Sequence, residues 1–409
     1  MRRILSTIFG LVSILNATTH HAPGDYLTIQ TAVRNAEIGD TVVVKEGVYS
    51  ENMQWSTDRD IQILVFANLH VSATGDDSNT GLSYLVPLRT IQYATSIIEA
   101  DSQNPHSIYV RNGLYSPSTN GESFPLELPD YVSIIGESKE NVIIDAENQN
   151  TVFLMEDNEQ NSINNISITG GIALLTDTVF PNTGGGIHCT RSNLILENVL
   201  LYENSAYNGG ALYFYQSSAW IKNITIVNNS ADNYGGAIRS LGSNFTIESV
   251  LMTDNTAYRG AAINFFNTDC ILSSTTITEN VADITGGGIF LIHKSKMNLI
   301  NSIVWGNIPD EIKTSNDGFS DTLAIDYSNI LPGDIIISEG DLFTWGTGNI
   351  LANPQFRDPI NEDFELSVGS PCVDAGIALF VLADDTLVNL AQDDYSGLAP
   401  DMGGFETMY

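Results

Sequence analysis

The sequence predicts an all-β chain that coils into a parallel β-helix, a solenoid of about 25 residues per coil with short N-terminal capping helices. A Gly-Gly-aliphatic motif or a near copy of it returns at intervals of 25 or 26 residues. A fixed interval of this size indicates one structural unit stacked on itself. The copies are GGGI (184–187), GGAL (209–212), GGAI (235–238), GAAI (260–263) and GGGI (286–289).

Each interval also contains short runs that favour β-strands, with Gly or Asn between them. Gly and Asn accept the left-handed backbone angles that tight corners need, so we expect three strands per coil with corners between them. One set of runs is VLLY (199–202), ITIV (224–227), VLMT (250–253), TTIT (275–278) and SIVW (302–305). A second set is NLILE (193–197), WIKN (220–223), FTIE (245–248) and CILS (270–273).

An asparagine recurs upstream of the glycine pairs, at intervals of 25 to 27 residues. We expect its side-chain amide to bond the copies above and below it, which is a structural role rather than a functional one. The predicted ladder is Asn204, Asn229, Asn255, Asn280 and Asn307.

These repeats resemble those of polymorphic outer-membrane proteins and, more generally, the pectin-lyase-like superfamily of right-handed β-helices. The resemblance covers about residues 28–406 and implies a right-handed coil. It implies little about activity, because the superfamily includes lyases, hydrolases and non-catalytic surface proteins.

The N-terminal region contains a duplicated start. TIQTA (28–32) and TIQYA (90–94) each open a short amphipathic helix, and a helix over the open end of a β-helix hides unpaired strand edges. We therefore divide the chain into an extra cap-like unit (25–68), an N-terminal cap with the first coils (69–130), the repeats (131–322) and the C-terminal coils with their cap (323–409).

Residues 73–94 resemble the DUF1565 segment found at the start of several bacterial β-helices, some of them polysaccharide lyases. Asp76, Asp77 and Asn79 precede a glycine there and could supply oxygens to Ca²⁺, the one cofactor that the sequence leaves open. The run is too short for a defined calcium loop. The alternative is an ordinary polar turn.

The C-terminal run of SPCVDAG (370–376), DDYSG (393–397) and PDMGGFE (400–406) resembles the end of choice-of-anchor Q surface proteins. That resemblance implies a closing series of acidic turns. The matching acids are Asp374, Asp394, Asp401 and Glu406, which could bind a metal or stabilise capping turns. No sorting tail follows Glu406, so the sequence leaves the mode of attachment open.

The composition indicates an exported, acidic protein. Asp and Glu number 49 against 16 Lys and Arg, giving a formal charge of −33, which disfavours binding to nucleic acid and anionic lipid. Residues 1–17 have the pattern of a signal peptide, and no later run is apolar enough to cross a membrane. We expect a bacterial monomer that is secreted or held at the cell surface.

The three cysteines predict buried thiols rather than disulfides. Cys189 and Cys270 lie about three coils apart, which places them about 14 Å apart along the axis if stacked strands are about 4.8 Å apart. This separation exceeds the reach of a disulfide.

No complete catalytic set is visible. A lyase needs a base and a positive charge to stabilise the developing anion, and the candidates include Arg239 as the weak first choice. The others are His188, Lys222, Arg259, His293 and Lys294. The NTD run at 267–269 matches one polygalacturonase motif, but the remaining motifs of that hydrolase family are missing.

Counting from each glycine motif predicts two outward-facing columns rich in aromatic residues. Such a face is suited to sugar rings. The predicted ligand-binding face comprises His188, Tyr213, Tyr215, Arg239, Asn264, Phe266 and Phe290. Loops at 178–182 or 316–341 could instead cover it.

Three functions therefore stay open. The first is binding of extracellular polysaccharide or a cell-surface component, as in an adhesin. The second is a pectate-lyase-like activity on an anionic glycan, and the third is a structural spacer without a ligand.

Overall fold

A computed structural model describes residues 17–47, 60–173 and 181–407. Nearly all of the predicted signal peptide, and most of the loop at 178–182, lie outside these residues. The chain forms a right-handed parallel β-helix of about 11 turns with about 26 residues per coil, which confirms the predicted fold. In the described residues, no helix is long and apolar enough to span a membrane.

Two large parallel sheets form most of the coil wall. The first has seventeen strands: Leu69–Val71, His106–Val110, Gly113–Tyr115, Val132–Gly136, Val142–Asp145, Asn161–Asn164, Ser167–Thr169, Asn193–Glu197, Leu200–Tyr202, Ser218–Val227, Asn244–Thr253, Asp269–Thr278, Lys296–Ile300, Ile303–Trp305, Thr322–Asp326, Asn329–Ile330 and Leu342–Trp345. The second has nine: Leu126–Glu127, Phe153–Glu156, Ile187–Thr190, Leu212–Tyr215, Ile238–Leu241, Ile263–Phe266, Ile289–Ile292, Ile312–Thr314 and Ile335–Ile336.

Smaller elements complete the described chain. A four-stranded parallel sheet lies between the two large ones and takes one strand from each central coil. Its strands are Ser205–Asn208, Ser230–Tyr234, Thr256–Arg259 and Val281–Thr285. A three-stranded sheet of Thr19–Ala22, Thr41–Lys45 and Gln62–Phe66 begins the chain, and two hairpins end it, Phe356–Asp358 with Asp363–Leu366 and Leu379–Leu382 with Asp385–Asn389. The helices are α1 (Ile29–Asn35) and α2 (Ile91–Ile97), with 3-10 turns at Pro332–Asp334, Pro359–Asn361 and Gln392–Asp394.

Because strand residues alternate between the two faces, each coil contributes one inward-facing apolar side chain to each stacked column of the core. In the seventeen-stranded sheet Leu196, Ile221 and Ile247 stack in register and are fully buried. Their sequence neighbours point outward, because successive strand residues face opposite sides. The resulting core runs without interruption from Ala22 to Ile330.

The side-chain amides of the asparagine ladder bond one another from coil to coil, and the series ends on an acid. Asn255 Nδ2 donates to Asn280 Oδ1 at 2.9 Å and to the carbonyl of Ile226 at 2.9 Å, and the other copies repeat this pattern. At the last rung Asn307 Nδ2 donates to Glu311 Oε2 at 2.5 Å. A carboxylate therefore takes the position of the next amide oxygen.

The first glycine of each motif occupies a left-handed corner. Gly235 has φ +69°, and a Cβ on it would stand 2.4 Å from the carbonyl oxygen of Ile238. A side chain is excluded both by the backbone angle and by the close approach. This explains why all five copies retain Gly at that position.

Helices α1 and α2 begin in the same way. The Thr28 and Thr90 hydroxyls accept hydrogen bonds from the backbone N–H three residues on, at 3.1 Å each. These are N-caps that satisfy otherwise unpaired donors. The buried apolar residues of both helices belong to the same core as the coils. The division into an extra unit at 25–68 stays a prediction.

The C-terminal arm, defined as residues 371–407, folds back along the side of the coil. Gly403 N donates to the carbonyl of Asn301 at 2.8 Å, and Gly404 N donates to Thr276 Oγ1 at 3.0 Å. Met402 and Cys372 pack with Ile303 in a small separate cluster. The arm thus joins the end of the chain to coils that lie much earlier in the sequence.

Candidate functional site

An open surface depression crosses the outside of the seventeen-stranded sheet. We call it the Trp220 groove; its volume is about 920 Å³. The residues along its floor follow one outward column in register, each one coil from the next: Ser162, Ile195, Trp220, Thr246, Ile271 and Asn298.

The floor is apolar at its centre and polar at its edge. Trp220 is 44% exposed and Ile195 is 40% exposed, which is unusual for adjacent large apolar side chains. A second column beside them is polar, with Asn193, Ser218 and Asn244 on the groove edge. An apolar strip with amide and hydroxyl groups beside it can hold a ligand that is flat and apolar on one face and rich in hydroxyls at its rim.

Charges in and beside the groove are paired. Lys222 Nζ lies 3.0 Å from Glu248 Oε1 and 5.7 Å from the centre of the Trp220 ring. Lys296 Nζ lies 3.7 Å from Asp269 Oδ2. The pairs place each positive charge next to a negative one, so neither lysine is a free base beside the groove.

This groove was not predicted from the sequence, although the sequence contains a signal for it. WIKN was assigned to a strand, and the alternation of that strand puts Trp220 and Lys222 outside once Ile221 is placed inside. The glycine motif instead predicted an aromatic face, which lies on the nine-stranded sheet.

The predicted ligand-binding face is largely buried, and the expectation of an exposed column is wrong. Only Tyr215 and Phe266 are half-buried. The other members have low exposures: His188 1%, Tyr213 2%, Arg239 7%, Asn264 0% and Phe290 8%. These side chains do point away from the core, but most of their surface is covered.

The strand before each glycine pair explains the burial. That strand turns at the glycine so that its last side chains pack over the column, as Tyr234 does over Arg239 with 4.7 Å between the guanidinium carbon and the ring centre. The glycine corner itself packs against the column, since a Cβ on Gly209 would meet the Cβ of Tyr213 at 3.0 Å. A side chain on this sheet can therefore point away from the core and still be buried.

Neighbouring segments cover both ends of the column. His188 stacks on Tyr213 at 5.2 Å, and its Nδ1 lies 2.9 Å from Thr183 Oγ1. Burial lowers the pKa of His188, so the ring is neutral. At the other end Phe319, from the predicted covering loop at 316–341, packs on His293 at 4.0 Å.

Arg239 is unsuited to the role of a base. Burial lowers its pKa to about 10, which still leaves it protonated at neutral pH, and a protonated guanidinium accepts no proton. It also lies on the nine-stranded sheet, away from the Trp220 groove. The weak catalytic assignment of Arg239 has no geometric support.

The other catalytic candidates each contact an acid or an aromatic ring. Lys222 is paired beside the groove, and Arg259 lies over Tyr258 with 4.7 Å between guanidinium carbon and ring centre. His293 Nδ1 lies 3.3 Å from Asp317 Oδ2, and Lys294 lies over Phe319.

The proposed calcium ligands act as turn and helix caps. Asp76 Oδ1 accepts a hydrogen bond from Ser78 N at 2.9 Å, and Asp77 Oδ1 accepts one from Thr90 N at 3.0 Å at the start of α2. Asn79 Nδ2 donates to the carbonyl of Pro87 at 2.8 Å. In these contacts the three side chains stabilise turns, as in an ordinary polar turn.

The C-terminal acids are used by the backbone in the same way. Asp374 Oδ1 accepts from Leu398 N at 2.7 Å, and Asp401 Oδ1 accepts from Asp374 N at 2.8 Å. Glu406 Oε1 accepts from Asp401 N at 2.9 Å, and Asp394 Oδ2 accepts from Ala391 N at 2.7 Å. Across the described ranges, no group of three or more His, Cys, Asp or Glu residues is placed to hold a metal.

The three thiols are free and buried, in agreement with the sequence. Burial raises the pKa of Cys372 to about 11 and that of Cys189 to about 12. Thiols with such pKa values are unreactive at neutral pH.

Comparison with known proteins identifies a family and a fold. A family model described as DUF1565, a protein of unknown function, matches residues 73–338. No curated protein sequence matches the chain. Among solved structures, pectate lyase Pel9A has a TM-score of 0.51 at 13% identity, with 83% of this chain and 96% of that chain covered.

A second structure is more distant. Pectin methylesterase PemA from Erwinia chrysanthemi has a TM-score of 0.33 at 12% identity, covering 74% of this chain and 98% of its own. At these identities the likeness to Pel9A concerns the fold alone.

Proposed function

The chain belongs to the DUF1565 family of proteins of unknown function, and we propose that it is an exported β-helix protein that binds extracellular polysaccharide in the Trp220 groove. The observation that carries the proposal is the exposed pair Ile195 and Trp220, adjacent in register on the floor of an open groove. The protein acts as a secreted or surface-held monomer that holds a glycan without cleaving it.

The groove chemistry supports a sugar ligand. An indole presents a flat face of about the size of a sugar ring, and the amides of Asn193 and Asn244 lie beside it to bond hydroxyl groups. The floor continues for several coils at one side chain per coil, so it offers a repeating polymer equivalent contacts along its length.

The net charge narrows the class of polysaccharide. A chain with a formal charge of −33 repels polyanions, and the lysines in and beside the groove are each paired with an acid. We therefore propose a neutral glycan. This argument also weakens the lyase alternative, which requires an anionic substrate and a free base.

A glycan-retention experiment tests the proposal. Wild-type protein is passed over a panel of immobilised neutral and uronic-acid polysaccharides, with and without Ca²⁺, beside Trp220→Ala. The control variant is Trp345→Ala, which removes an indole 37% exposed in the same sheet but outside the groove. We expect retention of wild type and of Trp345→Ala on at least one neutral glycan, and loss of it in Trp220→Ala.

Two results would count against the proposal. Retention on no member of the panel favours the spacer function. Release of unsaturated products that absorb in the near ultraviolet from a uronic-acid polymer would restore the lyase function, because elimination leaves a conjugated double bond.

A further inference from the structure

A second group of exposed aromatic side chains lies on the outer face of the seventeen-stranded sheet. Tyr84 is 49% exposed and Tyr109 is 37% exposed. The ring of His70 stacks on that of Tyr109 with 5.3 Å between the centres, and it meets the Tyr84 ring edge-on at 6.4 Å. The guanidinium carbon of Arg111 lies 3.8 Å from the centre of the Tyr84 ring. We call these four residues the Tyr109 platform.

The Trp220 groove leads towards this platform. Its floor column continues in register from Ser162 to Ser133 and then to Ser107, and Ser133 already lines the groove. Ser107 and Tyr109 lie two positions apart on one strand, and both point outward because Ile108 between them is fully buried. The small side chains of the three serines leave the surface between groove and platform open.

The platform lies four coils from Trp220. Register pairs link Trp220 through Ile195, Ser162 and Ser133 to Ser107, which corresponds to about 19 Å along the axis at about 4.8 Å per coil. A sugar ring in an extended chain has about the length of one coil spacing, roughly 5 Å. A chain with one ring on Trp220 therefore reaches the platform with about its fifth ring.

We propose that the Tyr109 platform is the second end of the glycan site, and that the ligand is an extended β-1,4-linked neutral polysaccharide. This inference rests on the function proposed for the Trp220 groove. The floor column follows the stacking direction of the coils, so it suits a chain whose successive rings stay in line. A β-1,4 linkage keeps rings in line, whereas an α-1,4 linkage winds the chain into a helix.

The groups on the platform suit a sugar ring. Tyr109 presents an exposed aromatic face, and the guanidinium of Arg111 supplies N–H donors for hydroxyl groups. Burial, together with the nearby charge of Arg111, lowers the pKa of His70, so its ring is neutral at neutral pH. Arg111 is charged, and an anionic chain is therefore included among the probes.

Titration calorimetry with oligosaccharides of defined length tests the proposal. The probes are β-1,4-linked gluco-oligosaccharides of three to six rings, with α-1,4-linked gluco-oligosaccharides and galacturonic-acid oligosaccharides of the same lengths for comparison. We expect the β-1,4-linked trimer and tetramer to bind the wild type with similar affinity. The pentamer and hexamer should bind roughly fivefold more tightly, because they add a second aromatic contact.

Three variants locate the two ends of the site. Tyr109→Ala should remove the gain in affinity at five rings and leave trimer binding unchanged. Tyr207→Ala, which removes a tyrosine 49% exposed on the four-stranded sheet, should keep the gain. Trp220→Ala should weaken binding at every length. A gain at five rings that survives in Tyr109→Ala overturns the role of the platform.

Failure of this inference differs from failure of the proposed function. Equal affinities from three to six rings, with weaker trimer binding in Trp220→Ala, would overturn the platform and leave the groove as a glycan site. Affinities that Trp220→Ala does not change would overturn both. An equal gain in the α-1,4 series, or no binding of any gluco-oligosaccharide, overturns the extended β-1,4 class. Tighter binding of the galacturonic-acid series overturns the neutral class.

Discussion

At the scale of single residues, the coil is held by buried amides that satisfy one another. Asn255 is fully buried, and its Oδ1 accepts from both the backbone N–H and Nδ2 of Asn229 at 3.0 and 3.1 Å. Buried polar groups are tolerated when every donor and acceptor is used. The ladder therefore specifies the register of successive coils as well as stabilising them.

Replacing a central rung should be costly. Asn255→Ala leaves the buried backbone N–H of Asn229 without an acceptor and removes one of the acceptors of its Nδ2. We expect a loss of about 2–4 kcal/mol in the free energy of unfolding. Denaturant unfolding followed by circular dichroism measures it. The exposed Asn244→Ala in the preceding strand is the matched control and should change stability by less than about 0.5 kcal/mol. Similar effects of the two substitutions would contradict the ladder.

Glu311, which ends the ladder, should make stability depend on pH. Burial raises its pKa from 4.5 to about 7. A carboxyl group whose pKa is higher in the folded state stabilises the protein fully below about pH 4.5, and this contribution is lost as the pH rises through about 7. Wild type should therefore lose stability relative to Glu311→Gln between pH 4.5 and 8, by about 1–3 kcal/mol.

Denaturant unfolding of the two proteins at pH 4.5 and pH 8 measures this difference. The comparison separates Glu311 from other titrating groups such as Asp321, because burial raises the pKa of Asp321 to about 6 in both proteins. A constant difference in unfolding free energy between wild type and Glu311→Gln at both pH values would show that Glu311 titrates normally.

At the scale of elements, the corner glycines limit what the coil accepts. Gly235→Ala should destabilise the protein by about 1–3 kcal/mol, because φ +69° is unfavourable for alanine and the new methyl group meets the carbonyl of Ile238. Gly333→Ala is the matched control, since nothing lies within 4 Å of its Cβ position. Thermal unfolding of both variants measures the difference. Equal melting temperatures would mean that the corner relaxes without cost.

The repeating elements could be predicted from the sequence, while exposure could not. The repeated glycines and asparagines mark backbone corners, and corners depend on local residue type. The coil and the ladder can therefore be predicted from repeated residues such as Gly235 and Asn255. The burial of His188 and Arg239 depends on how the strand Ser230–Tyr234 and its neighbours turn over the next sheet. That arrangement is a tertiary contact without a local signal. The Trp220 groove was predictable in principle, because alternation along its strand requires an outward indole.

At the scale of the whole molecule, the C-terminal arm links the end of the chain to the central coils. Asn301 fixes it through both ends of its amide, with Nδ2 donating to the carbonyl of Ile377 at 2.9 Å and Oδ1 accepting from Ile377 N at 2.8 Å. Asn301 is fully buried, and Cys372 of the arm is buried in the apolar cluster that the arm forms with the coil. Detachment of the arm should therefore expose one of the three thiols.

Thiol labelling followed by mass spectrometry measures this detachment. In the native wild type we expect negligible labelling of all three cysteines at neutral pH. Asn301→Ala should accelerate the labelling of Cys372 by about tenfold or more, as expected for a loss of about 1.4 kcal/mol in the free energy of opening, and leave Cys189 and Cys270 protected in the coil core. Simultaneous labelling of all three would indicate that the arm and the coil unfold together.

A crystal structure of the protein with an oligosaccharide from the glycan that retains it tests the central claim most directly. The account predicts sugar rings along the outer column of the seventeen-stranded sheet, with one ring stacked on Trp220 and its neighbour over Ile195. An oligosaccharide bound over Tyr215 and Phe266 on the nine-stranded sheet, with the Trp220 groove unaltered, would contradict it.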